Sequence, residues 1–128
     1  MFRVVINDNF SSAHFLRNYK GKCENLHGHN YKIEIFVLSE NLNNDEMVID
    51  FTELKKIVKD ILQDIDHKLI NEIDFFKQNN PTSENIAFYL FNEINKRLKE
   101  GFKNLILEKV RVWETERQYA EYFENYIS

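Results

Sequence analysis

The sequence predicts an α+β domain of the order strand, strand, helix, helix, strand, strand (ββααββ), a four-stranded antiparallel sheet with both helices on one face. Three observations predict it. His29–Leu38 alternates, with Tyr31, Ile33, Ile35 and Val37 on one side and Asn30, Lys32 and Glu34 on the other, the period-two signature of a half-buried strand. Leu54, Ile57, Val58, Ile61, Leu62 and Ile65 recur at helical spacing with polar residues between them. Runs rich in Val, Ile and Phe lie near both ends of the chain and leave the helical patterns grouped in the middle. A length of 128 residues suits one domain, residues 1–128.

The elements follow in order. Phe2–Asn7 reads as the first strand, Asp8–Ser12 as a bend or bulge before Ala13, His14 and Phe15, and Arg17–Leu26 as a polar loop containing Gly21. In the second strand Phe36 and Leu38 interrupt the polar side, which predicts that its far end is covered too. Asn41–Glu46 is a turn and Met47–Ile49 a short strand segment. Asp50 caps the first helix, with Glu53 as its capping-box partner. Asp66–Asn80 is irregular. Pro81, Thr82 and Ser83 open the second helix, Thr82 as its cap, and Ile86, Ala87, Leu90, Phe91, Ile94 and Leu98 form its apolar stripe. Gly101 fits the position just past its end. Leu105–Thr115 returns to strand, and Tyr119–Tyr126 reads either as a last strand paired back onto it or as a short helix. Sheet edges left without a neighbour favour an oligomer.

Composition narrows the function. With 43% hydrophobic and 30% charged residues the chain has the balance of a soluble globular protein. A net charge of −4 argues against nucleic-acid binding. No apolar run is long enough to span a bilayer, and Met1–Asn9 lacks the pattern of a signal peptide. The single cysteine, Cys23, excludes an internal disulfide, and the expectation is a cytoplasmic protein.

His27-Gly28-His29 is the sharpest local feature. Residues i and i+2 of a strand point to the same face, so the two imidazoles can converge on one ion. His14, just after the first strand, can face them across a hairpin, and three protein ligands leave a position open on a catalytic metal. A lone His-x-His is also compatible with a surface pair. Cys23 is either a small buried residue or a thiolate favoured by Lys22 or a metal, acting as nucleophile, base or ligand. His67 is either oriented by Asp66 or placed against a helix C-terminus. Glu114 is either a solvated turn acid or a grip for a guanidinium-like ligand edge.

Six segments, in order, resemble the 6-pyruvoyl-tetrahydropterin and 6-carboxy-tetrahydropterin synthase family: Phe10-Ser11-Ser12-Ala13-His14, the run from Cys23 through His27-Gly28-His29 to Tyr31, Ile49-Asp50-Phe51-Thr52-Glu53-Leu54-Lys55, Asp64 to Asn71 around Asp66-His67, Asn80-Pro81-Thr82-Ser83-Glu84-Asn85-Ile86-Ala87, and Val112-Trp113-Glu114-Thr115. They span nearly the whole chain. The sequence departs from the family at Glu116-Arg117-Gln118, where small residues and proline are expected.

The resemblance implies the tunnelling fold (T-fold), with trimers closing sheets into barrels and two trimers stacking as a homohexamer. It implies one Zn2+ per subunit on His14, His27 and His29, with Cys23 as catalytic base and Asp66 and His67 of a neighbouring subunit completing a proton relay. Glu114 anchors the pterin ring, with Thr82 and Ser83 nearby. The implied reaction converts 7,8-dihydroneopterin triphosphate to 6-carboxy-5,6,7,8-tetrahydropterin on the route to queuosine, releasing acetaldehyde and triphosphate. Zinc would acidify the side-chain hydroxyls and the adjacent C–H. Glu24, directly after Cys23, opens alternatives: a family branch with glutamate there makes 6-hydroxymethyl-dihydropterin for folate, and 6-pyruvoyl-tetrahydropterin is a further possible product. A zinc-stabilised binding module without turnover is the non-enzymatic alternative. Lys20 and Lys22 are candidates for the triphosphate.

Overall fold

A computed structural model describes residues 1–124. Among these, β1 (Phe2–His14), β2 (His27–Ser39), β3 (Ile106–Thr115) and β4 (Gln118–Tyr122) form one antiparallel sheet in the order β1-β2-β3-β4. Between β2 and β3 lie α1 (Phe51–Leu62) and α2 (Ser83–Gly101). The ββααββ order matches the sequence expectation.

Alternation along the strands decides which face the helices cover. Ile6 and Phe10 of β1, Tyr31, Ile33, Ile35 and Val37 of β2, and Val110 and Val112 of β3 are buried in one core with Leu54, Val58 and Ile61 of α1 and Ile86, Leu90 and Ile94 of α2. Burying each such aliphatic side chain contributes about 1.5–3 kcal/mol. β1 continues without a bend through Asp8–Ser12, contrary to the expected break. The polar spelling there hides a regular alternation, in which Phe10, Ser12 and His14 all point inward and are buried.

The segment after α1 supports that end of β1. The Ser11 amide donates to the Asp66 carboxylate (2.8 Å), the His67 amide donates to the Ser11 carbonyl (2.6 Å), and the Ala13 amide donates to the Lys68 carbonyl (3.1 Å). The Ser12 hydroxyl donates to the Ile65 carbonyl. Ile65 lies past the last turn of α1 but is fully buried, and Asp66–Asn80 contains two short 3-10 turns, Ile70–Glu72 and Asp74–Lys77.

Other boundaries differ in detail. Met47–Ile49 forms no strand. The Asn43 side chain accepts from the Asp45 and Met47 amides, and Val48 and Ile49 reach the core from this closed loop. Asp50 caps α1 as expected, but its carboxylate takes the amide and hydroxyl of Thr52, so Thr52 rather than Glu53 completes the cap. Thr82 caps α2. Gly101 is the last helical residue, and Phe102 takes the position past it. The ambiguous C-terminal stretch is a strand at Gln118–Tyr122, while residues 125–128 lie outside the described part.

On the other face of the sheet, Phe36 is covered as the sequence led us to expect, though by charged side chains rather than a further layer. Lys109 Nζ and the Arg111 guanidinium lie 4.8 and 4.9 Å from its ring centroid. Arg111 pairs with Glu121 and Glu34, and Glu34 also accepts the Trp113 indole N–H.

Candidate active site

The end of the β1–β2 ladder assembles the histidines. His14 pairs with His27 and Ser12 with His29, so all three imidazoles project from the helix-covered face. One ring nitrogen from each lies within 4.8 Å of the others. The ring centroids are 4.6 Å apart for His14 and His27, 5.1 Å for His14 and His29, and 4.9 Å for His27 and His29.

Hydrogen bonds select the tautomers. His14 Nδ1 lies 2.8 Å from the Pro81 carbonyl and His27 Nδ1 lies 2.9 Å from that of Asn25. A carbonyl only accepts, so each Nδ1 carries a proton, which leaves Nε2 as the nitrogen of each ring that can ligate a metal. His14 Nε2 and His29 Nε2 are buried with no hydrogen-bond partner among the described residues. Burial holds the His14 imidazole below its usual pKa of 6.5, against the pull of the Pro81 carbonyl and helped by the other two histidines, so it is neutral at pH 7. Three imidazoles with a ring nitrogen each within 4.8 Å of the others could hold a divalent metal ion, and the donor set does not select the element.

A cavity of about 440 Å³ adjoins the cluster. His14, His27, Glu24, Thr82, Ser83 and Glu114 line it, with Tyr19, Glu84 and Gln118 among its other lining residues. No Lys or Arg is among its lining residues, so apart from the histidines its charged side chains are the carboxylates of Glu24, Glu84 and Glu114. Glu114 Oε1 lies 3.9 Å from His29 Nε2, and the Ser83 hydroxyl is 3.5 Å from the other Glu114 oxygen. The Thr82 hydroxyl accepts from the Asn85 amide, so it serves the helix cap as well as the cavity wall. The departure at Glu116-Arg117-Gln118 forms a tight hairpin, with Thr115 paired to Gln118, which brings Gln118 to the rim.

The expected relay residues are placed differently. His67 and Lys68 line a second cavity of about 500 Å³, across the β1 end, together with His29. His67 Nδ1 is 3.0 Å from the Asp66 carboxylate, and its side chain is 81% exposed. Its φ of 57° is a left-handed conformation uncommon outside glycine, held by the Ser11 hydrogen bond. The Ser11 amide, and then His67, hold the Asp66 carboxyl below its usual range. Cys23 is exposed and lines neither cavity. One chain therefore joins the three histidines, Glu24, Glu114, Thr82 and Ser83, and does not bring Cys23 to the Asp66–His67 pair.

Tyr31 was read only as a core strand residue. It is fully buried and stacks on Phe10 at 4.7 Å, its ring 5.6 Å from that of His29, and its hydroxyl has no partner among the described residues. Burial, then Glu114 and Glu24, push its phenol pKa up. An aromatic residue at an inward strand position gives no sequence signal beyond core.

Residues 3–125 match the family model described as 6-pyruvoyl tetrahydropterin synthase. The chain belongs to this family. Among relatives of this tetrahydropterin synthase family, a protein of Archaeoglobus fulgidus named putative 6-carboxy-5,6,7,8-tetrahydropterin synthase is 39% identical over 92% of each chain. The 6-carboxy-5,6,7,8-tetrahydropterin synthase of Haemophilus influenzae is 34% identical, covering 97% of this chain and 100% of its own. The structure of Caenorhabditis elegans 6-pyruvoyl tetrahydropterin synthase aligns with a TM-score of 0.82 at 31% identity over 98% of both chains. The sheet and helices are thus those of the T-fold, and membership of the tetrahydropterin synthase family places the chain in pterin metabolism.

Proposed function

We propose that this chain is a zinc-dependent 6-carboxy-5,6,7,8-tetrahydropterin synthase, a lyase acting on 7,8-dihydroneopterin triphosphate with release of acetaldehyde and triphosphate, in queuosine biosynthesis. The observation that carries the reading is the convergence of three imidazoles beside an acid-lined cavity in a chain of this family. His14, His27 and His29 hold the zinc. A zinc ion there supplies Lewis-acid polarisation of the substrate's side-chain hydroxyls.

The remaining work belongs to the chain's own groups. Glu114 accepts the paired N–H groups of the pterin's guanidine-like edge, with Ser83 and Thr82 beside it. Cys23 moves protons at the substrate side chain, together with the Asp66–His67 pair of a neighbouring copy. A shared site accounts for the separation of these groups within one chain. It calls for a homo-oligomer, which the family resemblance makes a hexamer of two trimers, and the proposed location is the cytoplasm. Lys20 and Lys22 meet the triphosphate, since the cavity wall itself offers no cation.

One observation favours a second reading. Glu24 lines the cavity with its carboxylate 3.9 Å from His27 Nδ1, whereas Cys23 does not. Glu24 as the base fits release of 6-hydroxymethyl-dihydropterin for folate synthesis, alone or beside the carboxy product. Product identification by mass spectrometry after incubating the zinc-loaded protein with 7,8-dihydroneopterin triphosphate separates the two. 6-Carboxy-tetrahydropterin supports the first reading and 6-hydroxymethyl-dihydropterin the second, while no pterin product rejects both.

A further inference from the structure

Three consecutive peptides after β1 are each gripped on both their N–H and their C=O. The Phe15 amide donates to Asn71 Oδ1 (3.0 Å), and Asn71 Nδ2 donates to the Phe15 carbonyl (2.9 Å). The Arg17 amide donates to Asn80 Oδ1 (2.8 Å), and Asn80 Nδ2 donates to the Arg17 carbonyl (3.0 Å). Between them, the Leu16 amide donates to the Glu24 carboxylate (3.2 Å), and the Glu24 amide donates to the Leu16 carbonyl (2.8 Å). A carboxamide offers one acceptor and two donors in a plane, so each asparagine copies what a neighbouring strand offers a peptide.

The two asparagines come from fixed ground. Asn71 is 5% exposed, in the short 3-10 turn at Ile70–Glu72. Asn80 adjoins Pro81, whose carbonyl orients His14, and its own carbonyl accepts from the Thr82 amide and from Asn85 Nδ2. The chain they hold continues past Arg17. It leads into a turn with Asn18, Lys20 and Gly21 at positive φ, and then into Cys23 and Glu24. Leu16 is the peptide that meets the Glu24 carboxylate, and Glu24 is the member of that loop's Cys23–Glu24 pair that reaches the cavity.

We infer that Asn71 and Asn80 are positioning residues for catalysis: by fixing the Phe15 and Arg17 peptides they hold Leu16 where its N–H places the Glu24 carboxylate in the cavity beside His27. This rests on the second reading proposed for that cavity, in which Glu24 is the base that releases 6-hydroxymethyl-dihydropterin. His14 and His27 are oriented by the Pro81 and Asn25 backbone carbonyls, contacts that do not involve the asparagine side-chain amides, so loss of those amides displaces Glu24 more than it disturbs these two histidines.

The test compares the full-length zinc-loaded protein with Asn71→Ala, Asn80→Ala and Asn71→Asp, the last keeping the acceptor for the Phe15 amide and losing the donor. The expected result is a kcat for 6-hydroxymethyl-dihydropterin formation from 7,8-dihydroneopterin triphosphate lowered about tenfold or more in the Ala variants and less in Asn71→Asp, with KM and zinc content within about twofold of wild type. Hydrogen exchange at the Leu16 amide, whose partner is Glu24 and not an asparagine, speeds up about tenfold. An unchanged kcat in folded, zinc-loaded Ala variants overturns the inference. So does loss of zinc in parallel with kcat, which assigns the asparagines a purely structural role. If the Ala variants do not fold, Asn71→Asp decides on the same readouts. If the wild-type protein itself releases no 6-hydroxymethyl-dihydropterin, the reading with Glu24 as base fails, and the Leu16 exchange rate alone decides whether the asparagines transmit their hold to Glu24.

Discussion

His14 and His27 are directly paired across the β1–β2 ladder, although twelve residues of loop separate them in sequence, and their imidazoles meet at 4.6 Å on the buried face. Both donate an Nδ1–H hydrogen bond to a backbone carbonyl, which leaves Nε2 as the ring nitrogen that can meet a cation. Replacing any one of the three histidines by alanine should weaken zinc binding by about 100-fold or more, read by competition with a chromophoric chelator. Retention of wild-type affinity in His29→Ala would remove that residue from the ligand set.

Glu114 is assigned to the ligand rather than to the metal. Glu114→Gln keeps the shape but loses the charge and one acceptor, and it should raise KM for the pterin about 10- to 100-fold, equivalent to about 1.5–3 kcal/mol for a charge-assisted hydrogen bond. Zinc content should not change. A variant that loses zinc instead would move Glu114 into the metal's coordination.

Cys23 and Glu24 are adjacent in sequence and differ in placement. Cys23→Ala should abolish 6-carboxy-tetrahydropterin while leaving any 6-hydroxymethyl-dihydropterin, and Glu24→Ala should do the reverse. Chromatographic quantification of both products reads the split, and loss of both products in both variants would show that the two residues act as one unit.

On the other face of the sheet, the Arg3 guanidinium makes paired hydrogen bonds of 2.7 and 2.9 Å to the carboxylate of buried Glu108. Arg3→Leu strands that charge and should cost about 1–3 kcal/mol, discounted because Arg3 is half exposed. The hydrogen bonds from Arg3 hold the Glu108 carboxyl below its ordinary 4.5. A depressed carboxyl contributes stability that is complete above the unfolded value and is lost as pH falls through the folded one. The gap in denaturation midpoint between wild type and Arg3→Leu should therefore be widest near neutral pH and narrow below about pH 4. A gap independent of pH would assign the loss to packing of the arginine stem.

Most of the scaffold was legible in the sequence because burial follows simple periods. Tyr31, Ile33, Ile35 and Val37 announce β2, and Leu54, Ile57, Val58 and Ile61 announce α1. What was not legible depends on tertiary partners. Asp8–Ser12 reads as a break because its polar residues are satisfied by Lys59 and by residues 65–67, remote in sequence. Met47–Ile49 reads as strand because Val48 and Ile49 are apolar, yet they serve the core from a loop closed by Asn43. The histidine cluster was readable from strand phase and from the family resemblance. The roles of Asn71 and Asn80 were not, since an asparagine that grips a distant peptide is spelled like one that faces water.

Under the proposed function, pterin turnover depends on a metal held by His14, His27 and His29. Stripping the protein with a chelator, confirming that it remains folded, and titrating zinc back while following conversion of 7,8-dihydroneopterin triphosphate measures that dependence. The expected result is no turnover in the stripped protein and full recovery at one zinc per chain, with no recovery in His27→Ala. Undiminished turnover by the stripped, metal-free protein would show that the three histidines hold no catalytic metal.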